Sequence, residues 1–155
     1  MKRIALAILL CISTLSCGAS NFATSLKAVL AASGPLIESL NLGERKQAVV
    51  LGFTELAGDA GTLADALQSC TDKPCDLAAV RAFKSDYDRI ASRGVFGVHP
   101  KLQKVGDILD GIITSAEIYY GAPNKGATRT AGGAAKPVTE SDIKAQIKEL
   151  QAAMK

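Results

Sequence analysis

Cysteine and histidine have the widest chemical repertoire of the side chains here, and both are scarce: four cysteines and one histidine in 155 residues. Cys70 and Cys75 enclose Thr71-Asp72-Lys73-Pro74. Four intervening residues is wider than the two-residue spacing of a dithiol redox motif. No third or fourth sulfur or imidazole lies nearby to complete a zinc site. The spacing suits a small disulfide ring that closes a turn between two helices in an oxidising compartment. Such a ring restrains only a short loop, so its contribution belongs at the low end of the ~2 to 4 kcal/mol typical of disulfides.

His99 stands next to Pro100 at an expected helix start and reads as a capping or loop residue. A lone histidine excludes two-histidine zinc sites, and the absence of a Glu-x-x-His pair excludes a di-iron bundle centre. There is no Cys-x-x-Cys-His run for covalent haem. Asp107 and Asp110 lie three apart on one helix and read as a solvent-facing pair. No nucleophile stands beside an evident base and orienting partner. The chain is therefore read as non-enzymatic, with no cofactor and no metal.

The remaining cysteines lie at the start. Met1-Lys2-Arg3 is a short positive region, followed by the uncharged apolar segment from Ile4 to Ile12. This is the layout of a secretory signal, because a helix crossing ~30 Å of hydrocarbon needs roughly 20 apolar residues. The next stretch is Ile12-Ser13-Thr14-Leu15-Ser16-Cys17-Gly18-Ala19-Ser20. Thr14 to Cys17 resembles the lipobox of bacterial lipoprotein precursors, in which small residues precede a cysteine that is acylated and becomes the first residue of the mature chain. Ser16 and Gly18 fit that pattern. Thr14 departs from it, since the family usually has leucine three residues before the cysteine, and here Leu15 comes one place late. The resemblance covers about the first 18 residues and implies a signal over 1–16, lipidation at Cys17, and a protein held on the bacterial envelope facing the periplasm or exterior. The competing reading is an ordinary signal cleaved after Ala19, which would release a soluble secreted protein.

Loss of the signal takes Lys2 and Arg3 away, so the 18 basic residues fall to 16 against 15 acidic ones, a net +1. A nearly neutral chain with no Trp and few aromatics lacks the basic face and stacking residues of a nucleic-acid binder.

Four blocks keep helical time. Phe22, Leu26, Val29, Ser33, Leu36 and Leu40 form the first stripe, with Ser20 or Asn21 as its cap, an expected kink at Gly34-Pro35 and a stop at Gly43. Val49, Phe53, Leu56, Ala60, Leu63 and Leu67 form the second. Within that block Gly52, Gly58 and Gly61 call for a neighbouring helix in close approach or a break near Gly58-Asp59-Ala60-Gly61; a phosphate cradle is a third, weaker-motivated option. Pro74 and Asp76 open a third block striped by Leu77, Val80, Phe83, Tyr87 and Ile90, closed by Gly94. Phe96 and Val98 are expected to fold back over the bundle end. Pro100 opens the fourth block, striped by Leu102, Val105, Leu109, Ile112, Ala116 and Tyr119. Short connections force antiparallel neighbours, so the expected fold is all-α: an up-down-up-down four-helix bundle over 17–120.

Residues 121–137 shift to Gly, Ala, Thr and Lys and read as a flexible linker, with Lys125, Arg129 and Lys136 as a solvated or weakly anion-seeking charge set. A short C-terminal amphipathic helix over 138–155 follows, capped by Thr139 with Asp142. Its stripe of Ile143, Ile147, Leu150 and Met154 either docks on the bundle or meets another protein or a second copy.

Three functional classes follow. The first is a lipid-anchored interaction or assembly module, attached to the membrane by its N-terminal acyl chains. The second is a membrane-to-wall tether, because a lipid at one end and Lys155 at the other is similar to the major outer-membrane lipoprotein, whose last lysine is joined to peptidoglycan. The third is a carrier of small apolar ligands in a gap lined by Phe53, Phe83, Tyr87 and Tyr119, rings that core packing also explains.

Overall fold

The computed structural model describes residues 20–121 and 137–155. The signal 1–16, Cys17 and nearly all of the 121–137 linker lie outside the described residues. All regular structure within them is helical: α1 (Ser20–Ala31), α2 (Gly34–Ser39), a single 3-10 turn (Gly43–Arg45), α3 (Lys46–Ser69), α4 (Lys73–Ser92), α5 (Pro100–Gly121) and α6 (Glu140–Ala153).

Five helices share the core. α1 packs on α3, α3 on α4, α4 on α5, α5 on α6, and α6 returns to α1, so the contacts form a closed circuit. The C-terminal helix is thus an integral wall rather than an appendage to four others. Ile143, Ile147, Leu150 and Met154 are all buried in the common core. A capping box fixes its start: Asp142 N–H donates to Thr139 Oγ1 at 3.3 Å and Thr139 N–H donates to Asp142 Oδ2 at 2.8 Å.

The first block departs from the expected kinked helix. Proline lacks a backbone donor and its ring clashes with the carbonyl four residues back, here that of Ala31. The chain therefore stops at Ala31, turns through Ala32 and Ser33, and restarts as α2 with Pro35 in its first turn. Leu36, Ile37, Leu40 and Leu42 stay buried through this break, so the seam survives it. Gly43 (φ 52°) and Gly94 (φ 76°) occupy the left-handed region where an L side chain is strained, and each marks the end of a block.

α3 runs unbroken past Gly52, Gly58 and Gly61, which removes the expected alternative of a break. A neighbouring helix comes close at Gly61, where a Cβ would lie 3.1 Å from Lys27 Nζ of α1, and the close approach at Gly52 comes from the α4–α5 turn. A Cβ on Gly52 would lie 2.8 Å from Val95 Cγ2, and one on Gly106 of α5 would lie 2.9 Å from Phe96 Cγ. Val95 and Phe96 are the buried turn residues, with Val98 only half-buried. Phe96 meets Phe53 edge-on at 5.8 Å and Tyr87 at 5.6 Å between ring centroids. The Tyr87 hydroxyl donates to the Gly106 carbonyl at 2.8 Å. Burial, then the charges of Asp110, Asp88 and Asp107, pushes the Tyr87 phenol up to about 12, which keeps that donor protonated.

These glycines make opposite predictions. Gly106→Ala drives a methyl into a ring atom that cannot swing away, so it is expected to destabilise the fold by about 1 to 3 kcal/mol despite alanine's better helix propensity. At Gly58 an added methyl would meet nothing within 4 Å, so Gly58→Ala should gain about 0.5 to 1 kcal/mol. Thermal melts shifting in opposite directions are the expected result; equal shifts would contradict the packing described.

Cross-helix pairs set the directions. Asp59 faces Arg89 while Glu55 faces Arg93, so α3 and α4 run antiparallel. Tyr87 faces Gly106 and Arg81 faces Glu117, so α4 and α5 do too. Phe22 of α1 stacks at 6.1 Å on Tyr120 of α5, and Leu77 of α4 lies 3.5 Å from a Cβ built on Gly121. Gln146 of α6 lies opposite Gly111 of α5 and Glu140 acts on Tyr120, so α6 runs antiparallel to α5, and the start of α1, the Cys70–Cys75 turn, the end of α5 and the start of α6 share one end of the molecule. The α1–α3 connection, the α4–α5 turn and Lys155 share the other.

Candidate functional site

The end that carries the start of α1 holds the Cys70–Cys75 turn and Tyr119. Cys70 and Cys75 lie at disulfide distance, with Cα atoms 5.4 Å apart. α3 ends at Ser69 and α4 begins at Lys73, so the pair spans the tightest long-helix connection. Asp72 caps α4 by accepting from Cys75 N–H at 2.8 Å, and Pro74 sits in the first turn, where a missing donor costs nothing. Burial, followed by the Asp72 charge, raises the Asp76 pKa, and burial with Asp76 as the next cause raises that of Tyr120 beside it. Thr71, Asp72, Lys73 and Pro74 are exposed.

Cys17 lies outside the described residues, three positions before Ser20, where α1 begins. Both borders of the undescribed 122–136 segment, Gly121 and Pro137, adjoin the same end.

The four rings expected to line one gap are divided. Phe53 and Tyr87 pack with Phe96 at the far end. Tyr119 packs with Tyr120 at 4.9 Å near the start of α1, roughly 20 Å further along α5 at 1.5 Å per residue. Phe83 is buried between these levels. Tyr120, rather than Tyr119, completes the α5 stripe; Tyr119 is only partly buried. A shallow groove of about 340 Å³ runs between α5 and α6, lined by Lys104, Asp107, Ile108, Gly111, Gln146 and Glu149, and it includes none of those four rings.

His99 caps α5: its Nδ1 accepts from Lys101 N–H at 3.1 Å. Asp110 lies 3.8 Å from Lys84 of α4, and Asp107 borders the groove. Lys155 is exposed at the far end.

Sequence reading missed an ion network across α3 and α4. Glu55 accepts from Arg93 at 2.8 Å and from Arg89 at 3.4 Å, and Arg89 also donates to Asp86 at 3.1 Å. These pairs are exposed, so each contributes under about 1 kcal/mol. Its signal was only the helical spacing of opposite charges, which cannot show which helix faces which. Asp59 is the exception within it: its Oδ2 is buried without a hydrogen bond, with the Arg89 guanidinium 3.9 Å away. Burial, then the Asp86 charge, raises its pKa above 3.8. An acid with a raised folded-state pKa binds its proton more tightly folded than unfolded, so its contribution falls as pH rises through that range. Asp59→Asn is expected to raise the melting temperature at pH 7 and to flatten the loss of stability above about pH 4. Melts across pH 3 to 8 that leave the slope unchanged would contradict this.

Among the described residues no helix is long and apolar enough to cross a membrane, and no group of three or more His, Cys, Asp or Glu could hold a metal ion. Comparison with protein-family models, with curated protein sequences and with solved structures finds no match.

Proposed function

We propose that this chain is a non-enzymatic, lipid-anchored protein of the bacterial envelope, acting as an interaction or assembly module. One observation carries the reading: a basic start and an apolar run too short to span a bilayer lead directly into Ser16-Cys17-Gly18. The acyl chains on Cys17 hold it to the membrane, facing the periplasm or exterior, where Cys70 and Cys75 are oxidised. The body behind that role is an up-down-up-down bundle of the four blocks α1–α2, α3, α4 and α5, completed by α6. Because the α6 stripe is taken up by the chain's own core, a partner or second copy meets the outer faces and ends of the helices.

Growth of cells with a labelled fatty acid tests the reading. Label in the wild-type chain that disappears in Cys17→Ala is the expected result. An unlabelled chain beginning at Ser20 in the medium would replace it with the secreted soluble alternative.

Lys155 supports a second reading, a tether to the wall, because it lies at the end opposite the start of α1. Digestion of purified sacculi should then release a peptide ending in Lys155 joined to a wall fragment; its absence dismisses the tether and leaves the anchor untouched.

A further inference from the structure

We propose that the end of the bundle formed by the Cys70–Cys75 turn and the start of α1 rests against the lipid headgroups, with the opposite end, bearing the α4–α5 turn and Lys155, directed away from the membrane. The inference rests on the anchored reading and adds an orientation to it. An acylated Cys17 lies in the bilayer surface, and Ser20 follows it by three positions, with Gly18 and Ala19 between. A chain of that length reaches at most about 11 Å. α5 alone, at 22 residues, is about 33 Å long. The leash is thus a third of the length of the body and leaves from one end of it.

The side faces give the body little reason to lie down. They carry ion pairs, Arg81 with Glu117 and Lys84 with Asp88 among them. Val50 and Leu51, both on α3, are the large apolar side chains exposed among the described residues. Two side chains offer little apolar area to insert between headgroups, and flattening the body onto lipid would cost hydration of the paired ions. The near end contributes Thr71, Asp72, Lys73 and Pro74 as exposed residues within reach of the surface, one acid and one base among them, so it brings no net charge there. α6, running 14 residues from that end, carries Lys155 about 20 Å outward.

The chain contains no tryptophan, so a single introduced indole reports without background. Full-length Thr71→Trp and Lys101→Trp are produced in cells, and intact mass establishes whether each is acylated. Each is then reconstituted in phosphatidylcholine vesicles carrying a nitroxide on the headgroup, with Lys73→Trp replacing Thr71→Trp if circular dichroism shows lost helix. Quenching at least threefold stronger at residue 71 than at residue 101 is expected. Acylated protein with equal quenching, or stronger quenching at residue 101, overturns the orientation while leaving the anchor standing. Protein without acyl chains overturns both.

Discussion

Leu150→Ala is expected to cost about 2 to 5 kcal/mol, because its side chain is fully buried where α6 meets α5 and α1 and truncation leaves a cavity the wall helices cannot close. Typical domains are stable by only about 5 to 15 kcal/mol in total. The melting temperature should fall by roughly 8 to 20 °C. Lys148→Ala, on the exposed side of the same helix, should stay within about 0.5 kcal/mol of wild type. Denaturant or thermal unfolding of the two variants separates a structural α6 from one that only hangs from its linker. An integral α6 gives one cooperative transition that moves for Leu150→Ala alone; a hanging α6 leaves the main transition in place for both.

Cys17→Ala carries the other large effect. Lipid attachment strengthens by about 0.8 kcal/mol per buried CH2, one myristoyl-length chain holds a protein only reversibly, and two or more hold it firmly. No helix among the described residues could substitute as a membrane span. The wild-type protein is therefore expected in the detergent phase of a phase-separation assay, and Cys17→Ala in the aqueous phase, a shift of more than about a thousandfold in partition. Circular dichroism of the two should coincide, since Cys17 precedes α1. Unchanged partition in the variant would contradict the anchor.

The helical seam was legible in the sequence because burial at three- and four-residue spacing writes itself directly into residue type. Every member of the Val49-to-Leu67 stripe is buried, and so are Ile143, Ile147, Leu150 and Met154. The order of packing was not legible. A stripe states that a helix has an inner face but not which neighbour covers it, and so the fifth wall of the core was left open as a docking or partner surface. Gly106 shows the same limit from the other side: nothing in its own helix tells that Phe96 lies across it. The division of Phe53 and Tyr87 from Tyr119 depends on where each falls along the molecule's length, a distance set by helix direction and turn position together. The Cys70–Cys75 turn was legible because its requirements are local, two cysteines and Pro74 within six residues, whereas Asp72 as the cap of α4 came only from the structure. Cys17 is read from its sequence setting alone.

Mass spectrometry of the mature N-terminus, on protein purified from bacterial cells, tests the anchored account most directly. It predicts a first residue Cys17 that carries a thioether-linked diacylglycerol. A chain that begins at Ser20, or one that keeps an unmodified Cys17, would contradict it.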